Sequence, residues 1–234
     1  MTLEKAKRQL IDAGRILEAN GLGDLTRGHV SIRDPENPNR FIMKPHSYGF
    51  DEITEENIVV CDLSGDKVGG GGRRHSEVFI HSEIFKARPD VNSVVHAHPV
   101  NAIALSSTGQ NLQMLSQPAC NFADGLPYYA DTLYLIRTPE LGAGVARALG
   151  QSKAVLMRNH GVAVAGRTVE EAVVLTLALE EACKIQLAVQ AVGGAGELFA
   201  DDEVKRLHDA ITREEQFTVN FDFLARKANR AHAI

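Results

Sequence analysis

Apolar residues recur along this chain at helical spacing and in short continuous runs. Leu3, Ala6, Leu10, Ala13 and Leu17 return every three or four positions, which predicts an amphipathic helix over Leu3–Ala19, and Asn20-Gly21 ends it. Two short runs, His29–Arg33 and 40–44, flank the turn formers of 34–39 and read as a hairpin. Residues 58–63 read as a third strand running into Ser64-Gly65-Asp66. The four glycines of 69–72 read as a loop. They lack the spacing and the Lys-Ser/Thr pair of a phosphate loop, so no nucleotide site is expected there.

Helical spacing returns over 76–87, where Val78, Phe79, Ile80, Ile84 and Phe85 are apolar and Pro89 closes the segment. The valine-rich stretch 91–98 predicts a buried strand, followed by a short helix over 99–106. Residues 112–136 are strand-like but irregular, with Gly125 and Pro127 as breaks. Pro139–Leu149 predicts a helix with proline at its start. Ala154–Met157 predicts an apolar strand that enters Arg158-Asn159-His160-Gly161 and continues through 162–165. Thr168-Val169-Glu170-Glu171 is a capping-box pattern opening a long helix to about Val192. Gly193-Gly194-Ala195-Gly196 then reads as a linker before a mostly polar helical tail over 201–231. Strands and helices mix without strict βαβ alternation. The expected fold is α/β, with three α/β/α layers around a mostly antiparallel sheet.

With 234 residues the chain is long enough for one such domain with a sizeable core. A formal charge of −5 with no basic block argues against a nucleic-acid partner. Cys61, Cys120 and Cys183 are odd in number and far apart, which suits free thiols in a reducing compartment. The N-terminus lacks the charged-then-apolar pattern of a signal peptide. No run approaches the ~20 apolar residues of a membrane span. The expected location is the cytoplasm, away from the membrane.

His96-Ala97-His98 changes this picture. Residues two apart on a strand share a face, so two imidazoles leave the strand end side by side in a chelating arrangement. His160 is the best third ligand: it too follows a short apolar strand, and Gly161 after it permits close backbone approach. Glu77, opening the helix that leads into the His96 strand, is the best acidic partner. Three imidazoles and a carboxylate suit one divalent ion such as Zn, Mn or Co. Each residue also has a plainer reading. Asn159-His160-Gly161 suits a turn with Asn and Gly at positive φ, and Glu77 suits a helix dipole.

Taken in order, Gly28-His29-Val30-Ser31-Ile32-Arg33, Ser76-Glu77, Pro89-Asp90, His96-Ala97-His98-Pro99 and Asn159-His160-Gly161-Val162-Ala163 resemble the class II aldolase/adducin family over about 6–192. The resemblance implies one domain of that type over 1–234, with 1–192 as core and 193–234 as helical tail. It also implies a homotetramer with sites at subunit interfaces, and a divalent metal held by His96, His98 and His160. Glu77 matches the acidic residue that can ligate the metal and act as acid/base.

Three loops depart from the sugar-phosphate aldolases, which hold phosphate with small polar residues and backbone amides. Here the loops carry His29; Lys44, His46 and Ser47; and Arg73, Arg74, His75 and Ser76. A pocket so rich in bases suits carboxylates, which guanidinium grips bidentately. The pattern resembles the family's branch of metal-dependent hydroxy-aromatic and pyridine carboxylate decarboxylases. It predicts a carbon–carbon lyase acting on a small di-acid of the dihydroxyphthalate or 3-hydroxy-2-methylpyridine-4,5-dicarboxylate type. The alternative is an aldolase or epimerase acting on a sugar phosphate or 2-keto acid. A non-enzymatic role, as in adducin heads that lack the metal ligands, is disfavoured by retention of Glu77, His96, His98 and His160. Phe122, Tyr128 and Tyr129 would line a flat substrate or fill the core. Phe217, Phe221 and Phe223 would cap a neighbouring site or pack on the body.

Overall fold

The computed structural model describes residues 1–194 and 197–232. Its eight strands are β1 (His29–Arg33), β2 (Arg40–Met43), β3 (Val59–Asp62), β4 (Lys67–Gly70), β5 (Ser93–Ala97), β6 (Tyr128–Tyr129), β7 (Ala154–Met157) and β8 (Gly161–Gly166). They form one sheet in the order β4-β3-β2-β1-β5-β8-β7-β6. Every pairing is antiparallel except β6 with β7.

The central strands β1, β5 and β8 are buried along their whole length, so successive side chains divide between two cores. Val30, Ile32, Val95, Leu156, Val162 and Val164 enter the core beneath α1 (Leu3–Ala19), α6 (Val169–Ala191) and α8 (Glu214–His232). Phe41, Met43, Val94, Val155, Ala163 and Ala165 enter the other, beneath α2 (Val78–Ala87) and α5 (Pro139–Leu149). This alternation produces the three α/β/α layers. It also places His29, Ser31 and His96, at odd steps from the first set, on the α2 side. Among the described residues no helix is long and apolar enough to cross a membrane.

Arg33 locks the far end of β1. It is 8% exposed, and among the described residues no carboxylate pairs with it. Its guanidinium donates to the carbonyls of Val91, Pro38, Phe85 and Arg88 at 2.8–3.2 Å and stacks 4.7 Å over the Phe85 ring. One side chain thereby ties the end of α2 to the β1–β2 hairpin and to the approach to β5.

Several elements differ from expectation. Gly69 and Gly70 pair with Val60 and Val59 as part of β4 rather than forming a loop. Residues 112–136 hold only a short helix, α4 (Gln117–Cys120), and two-residue β6. The segment 162–165 does not continue β7. The chain reverses at 158–160, with Met157 facing Gly161, and β8 returns antiparallel. Asn159 makes this reversal at φ +57, the left-handed conformation that asparagine tolerates. Gly161 serves a different need, because a Cβ there would stand 2.4 Å from the Ala97 carbonyl.

The helix over 76–87 begins at Val78, with Glu77 at its N-cap. The short helix after β5 is α3 (Val100–Thr108). The tail divides into α7 (Asp201–Ile211) and α8. Phe217 and Phe221 are buried in the α1–α6 core, so they pack on the body rather than capping a site, and Phe223 is exposed. Of the expected Gly193-Gly194-Ala195-Gly196 linker, Ala195 and Gly196 lie outside the described residues, as do Ala233 and Ile234 of the tail.

Candidate metal centre

Three turns of backbone converge at one end of the sheet. His96 sits in β5 between His29 of β1 and Ala163 of β8. His98 follows on the same face, just before α3. The start of α3 is fixed by Glu180 of α6, whose carboxylate accepts from the backbone amides of Asn101 and Ala102 at 3.0 Å. His160 stands in the β7–β8 reversal, which Ser106 of α3 anchors by accepting from the Asn159 amide at 3.0 Å.

The ligating atoms of His96, His98 and His160 all lie within 4.8 Å of one another. His96 is wholly buried, and its Nδ1 lies 2.9 Å from the Val162 carbonyl. A carbonyl can only accept, so Nδ1 carries the proton and Nε2 keeps a free lone pair. That Nε2 and Nε2 of His160 are buried without a hydrogen-bond partner, whereas Nδ1 of His98 stands 3.0 Å from an Asp24 carboxylate oxygen. Buried polar atoms are normally paired, and two orphans beside a third imidazole oriented by a carboxylate fit a divalent cation. Glu77 stands over the same point, its carboxylate oxygens 3.9 Å from His96 Nε2 and 3.7 Å from His160 Nε2. The Ile136 amide donates to Glu77 Oε1 at 2.8 Å and fixes its orientation.

Burial holds these imidazoles neutral. His96 is pushed far below the usual imidazole range by desolvation and by its neighbours His98 and His160. His98 is lowered to about 4 by burial and by His160, with Asp24, 3.0 Å from its Nδ1, offsetting part of the shift. His160 is lowered by burial, against the pull of Glu77. Neutral imidazoles offer lone pairs near pH 7 with no proton to displace.

His98, His160 and Glu77 line a cavity of about 400 Å³, with His96 buried behind them. Four of the substrate residues expected from sequence lie on its wall: His29, His46, His75 and Ser76. Three do not. The Lys44 ammonium is buried behind the wall, donating to the carbonyls of Thr26 and Pro45 at 3.1 and 3.3 Å, and burial lowers it to about 8. Ser47 is turned to His46, its Oγ 2.6 Å from His46 Nδ1. Arg74 faces away because its guanidinium packs 5.7 Å over the Phe79 ring and donates to the His75 carbonyl. The cavity's guanidiniums come instead from Arg27, paired to Asp24 at 3.0 Å, and from Arg137 on the loop that also supplies Ile136. Neither stands in a motif, and only the chain's path brings them in. Phe122 and Tyr129 are core residues and Tyr128 packs against the core, so none of the three lines this cavity.

The buried histidines make stability depend on pH. His75 and His81 are each pushed down to about 3, desolvation being the main cause. Below the ordinary value near 6.5, the unfolded chain takes up protons that the folded chain refuses. Stability is therefore whole above pH 6.5 and is lost as pH falls towards 3, by about 1.4 kcal/mol per pH unit for each such histidine. Thermal melts of the metal-free protein are expected to be level from pH 7 to 8 and to fall steadily from pH 6.5 to 5. A level melting temperature across that lower range would contradict this.

A three-layer α/β/α fold with three neutral histidines converging from two strand ends defines a candidate metal centre. Residues 8–187 match the model of the class II aldolase and adducin N-terminal domain, and the chain belongs to that family. The meiotically up-regulated gene 14 protein of Schizosaccharomyces pombe is 35% identical over 187 residues, covering 79% of this chain and 73% of that one. The 3,4-dihydroxyphthalate decarboxylase of Arthrobacter keyseri is 30% identical over 220 residues, covering 89% and 88%. Among solved structures, L-fuculose 1-phosphate aldolase from Glaciozyma antarctica aligns with a TM-score of 0.88 at 26% identity, covering 99% of this chain and 91% of its own.

Proposed function

We propose that this protein is a divalent-metal-dependent carbon–carbon lyase that decarboxylates a hydroxylated aromatic or pyridine dicarboxylate. The observation that carries the reading is the joining of the histidine trio, through His98 and His160, with Arg27 and Arg137 around one cavity. A cation and two guanidiniums give a di-acid two separate points of attachment. Similarity to the Arthrobacter keyseri decarboxylase over 89% of the chain supports the same chemistry.

In this reading His96, His98 and His160 hold one Zn, Mn or Co ion, with Glu77 able to join them. When bound, the ion supplies Lewis acidity that stabilises negative charge developing on a substrate oxygen. Arg27 and Arg137 hold the carboxylate that stays. His29 and His75 flank the ring. Glu77, held by the Ile136 amide, takes a proton from the ring hydroxyl and delivers it to the ring carbon as CO2 departs: the C–C electron pair passes into the ring and then takes up that proton. The hydrophobic rim of Leu133 and Leu135, both exposed, is where a neighbouring subunit of a homotetramer would close the cavity and exclude water. The proposed location is the cytoplasm.

A second reading, aldol cleavage of a sugar phosphate, draws on the likeness to the Glaciozyma antarctica aldolase. His29, His46 and His75 fill the wall where that reading needs small phosphate-binding residues.

An Arg137→Ala variant separates the two. On a hydroxyphthalate it is expected to raise KM about tenfold, for one lost charge-assisted contact, with bound metal unchanged. Steady-state CO2 release and metal analysis read both quantities. An unchanged KM would remove Arg137 from the carboxylate site.

A further inference from the structure

One wholly buried residue of α2 has no part in the site described above. His81 lies one turn beyond Glu77, and each of its ring nitrogens has one partner. Nδ1 is 2.6 Å from Ser31 Oγ, and Nε2 is 2.6 Å from His29 Nδ1. His29 and Ser31 are two apart on β1, so the pleat turns both towards α2, and the His81 imidazole bridges them. The bond to His81 occupies Nδ1 of His29 and leaves its Nε2 for the cavity.

A neutral imidazole has one N–H and one lone pair, so the protons along this chain are linked. In one arrangement Ser31 donates to His81 Nδ1, His81 Nε2–H donates to His29 Nδ1, and His29 presents an N–H to the cavity. In the other, every bond is reversed and His29 presents a lone pair. The surroundings choose between them. A Glu77 carboxylate oxygen lies within 4.8 Å of a His29 ring nitrogen, and a carboxylate attracts an N–H and repels a lone pair. Burial keeps His81 neutral, so it always offers one donor and one acceptor.

We propose that His81, with Ser31 behind it, is a positioning residue that locks His29 in its Nε2–H tautomer. The cavity then carries a neutral donor beside the histidine trio, aimed at a carboxylate or phenolate oxygen of the substrate. The donor role rests on the lyase reading; the lock does not. The lock also settles which residues compete for the ion. His29, Glu77 and His96 form a second group whose ligating atoms lie within 4.8 Å of one another. A protonated Nε2 has no lone pair to give, so the ion is left to His96, His98 and His160.

The test uses the full chain, zinc-loaded and 15N-labelled at histidine, with long-range 1H–15N correlation spectra to read each tautomer. His29 and His81 are expected to show protonated Nε2 and unprotonated Nδ1. In Ser31→Ala, which changes little volume, and in His81→Phe, the His29 signals are expected to shift towards a mixture of tautomers. With zinc content at the wild-type level, kcat/KM for CO2 release from a hydroxyphthalate should fall about tenfold, the loss of one oriented hydrogen bond. A wild-type His29 protonated at Nδ1, or His29 signals unchanged in both variants, would overturn the lock. Absence of CO2 release by the wild type would sink the lyase reading instead, and the spectra would still decide the tautomer.

Discussion

Replacing His96 with alanine is expected to strip the divalent ion from the protein and lower turnover by roughly a thousandfold, an effect of about 4 kcal/mol. His96 is the most constrained of the three candidate ligands. It is wholly buried, its tautomer is set by the Val162 carbonyl, and its Nε2 has no other partner. Few substitutes can place a lone pair at that point. The effect separates into two readings. Metal analysis after dialysis should show near-stoichiometric ion in the wild type and almost none in the variant. Far-ultraviolet circular dichroism should show that the sheet persists, because the imidazole leaves a space bounded by Val162 and by the neighbouring histidines rather than an opened core. A variant that kept both its ion and its turnover would remove His96 from the centre.

The second large effect concerns folding. Arg33→Ala is expected to destabilise the protein by about 3–5 kcal/mol, because four carbonyls lose their donor in a place that water does not readily reach. For a chain of this length that corresponds to roughly 10 °C in Tm. Arg33→Lys should recover only part of the loss, since one ammonium cannot span four acceptors arranged for a guanidinium. Thermal melts of the three proteins in chelator check this without interference from metal. A change of a degree or less in the alanine variant would show that the carbonyls find other donors.

The comparison of sequence with structure divides along physical lines. The histidine trio could be read because strand geometry is strict: two residues apart means one face, and both strand exits carry apolar runs that identify themselves. The division into two cores could not, because β1, β5 and β8 are buried at every position and carry apolar runs rather than an alternation. The basic loops could not. Arg74 and Arg27 are equally plausible pocket residues from their positions in the chain. What separates them is Phe79, which gives the Arg74 guanidinium a ring to lie on, and Asp24, which holds Arg27 at the cavity. A lysine beside a loop suggests an exposed charge, whereas the carbonyls of Thr26 and Pro45 draw Lys44 inwards. The β7–β8 reversal was hidden by an apolar run on each side of Asn159. One residue at positive φ turns what reads as a single strand into a hairpin and places His160 at the site. His81 gave no signal, since a polar residue within the apolar stretch of a helix reads as a solvent-facing position until β1 is laid against it.

In the proposed reaction the histidine trio and the two cavity arginines serve decarboxylation of a hydroxylated aromatic di-acid. Its most direct test is CO2 release by the purified protein, reconstituted in turn with Mn, Co and Zn, across hydroxyphthalates and hydroxypyridine dicarboxylates. Stoichiometric CO2 is expected from at least one of these substrates, abolished by chelation and restored by adding metal back. No CO2 from any of them, together with cleavage of a ketose phosphate by the same metal-loaded protein, would contradict it.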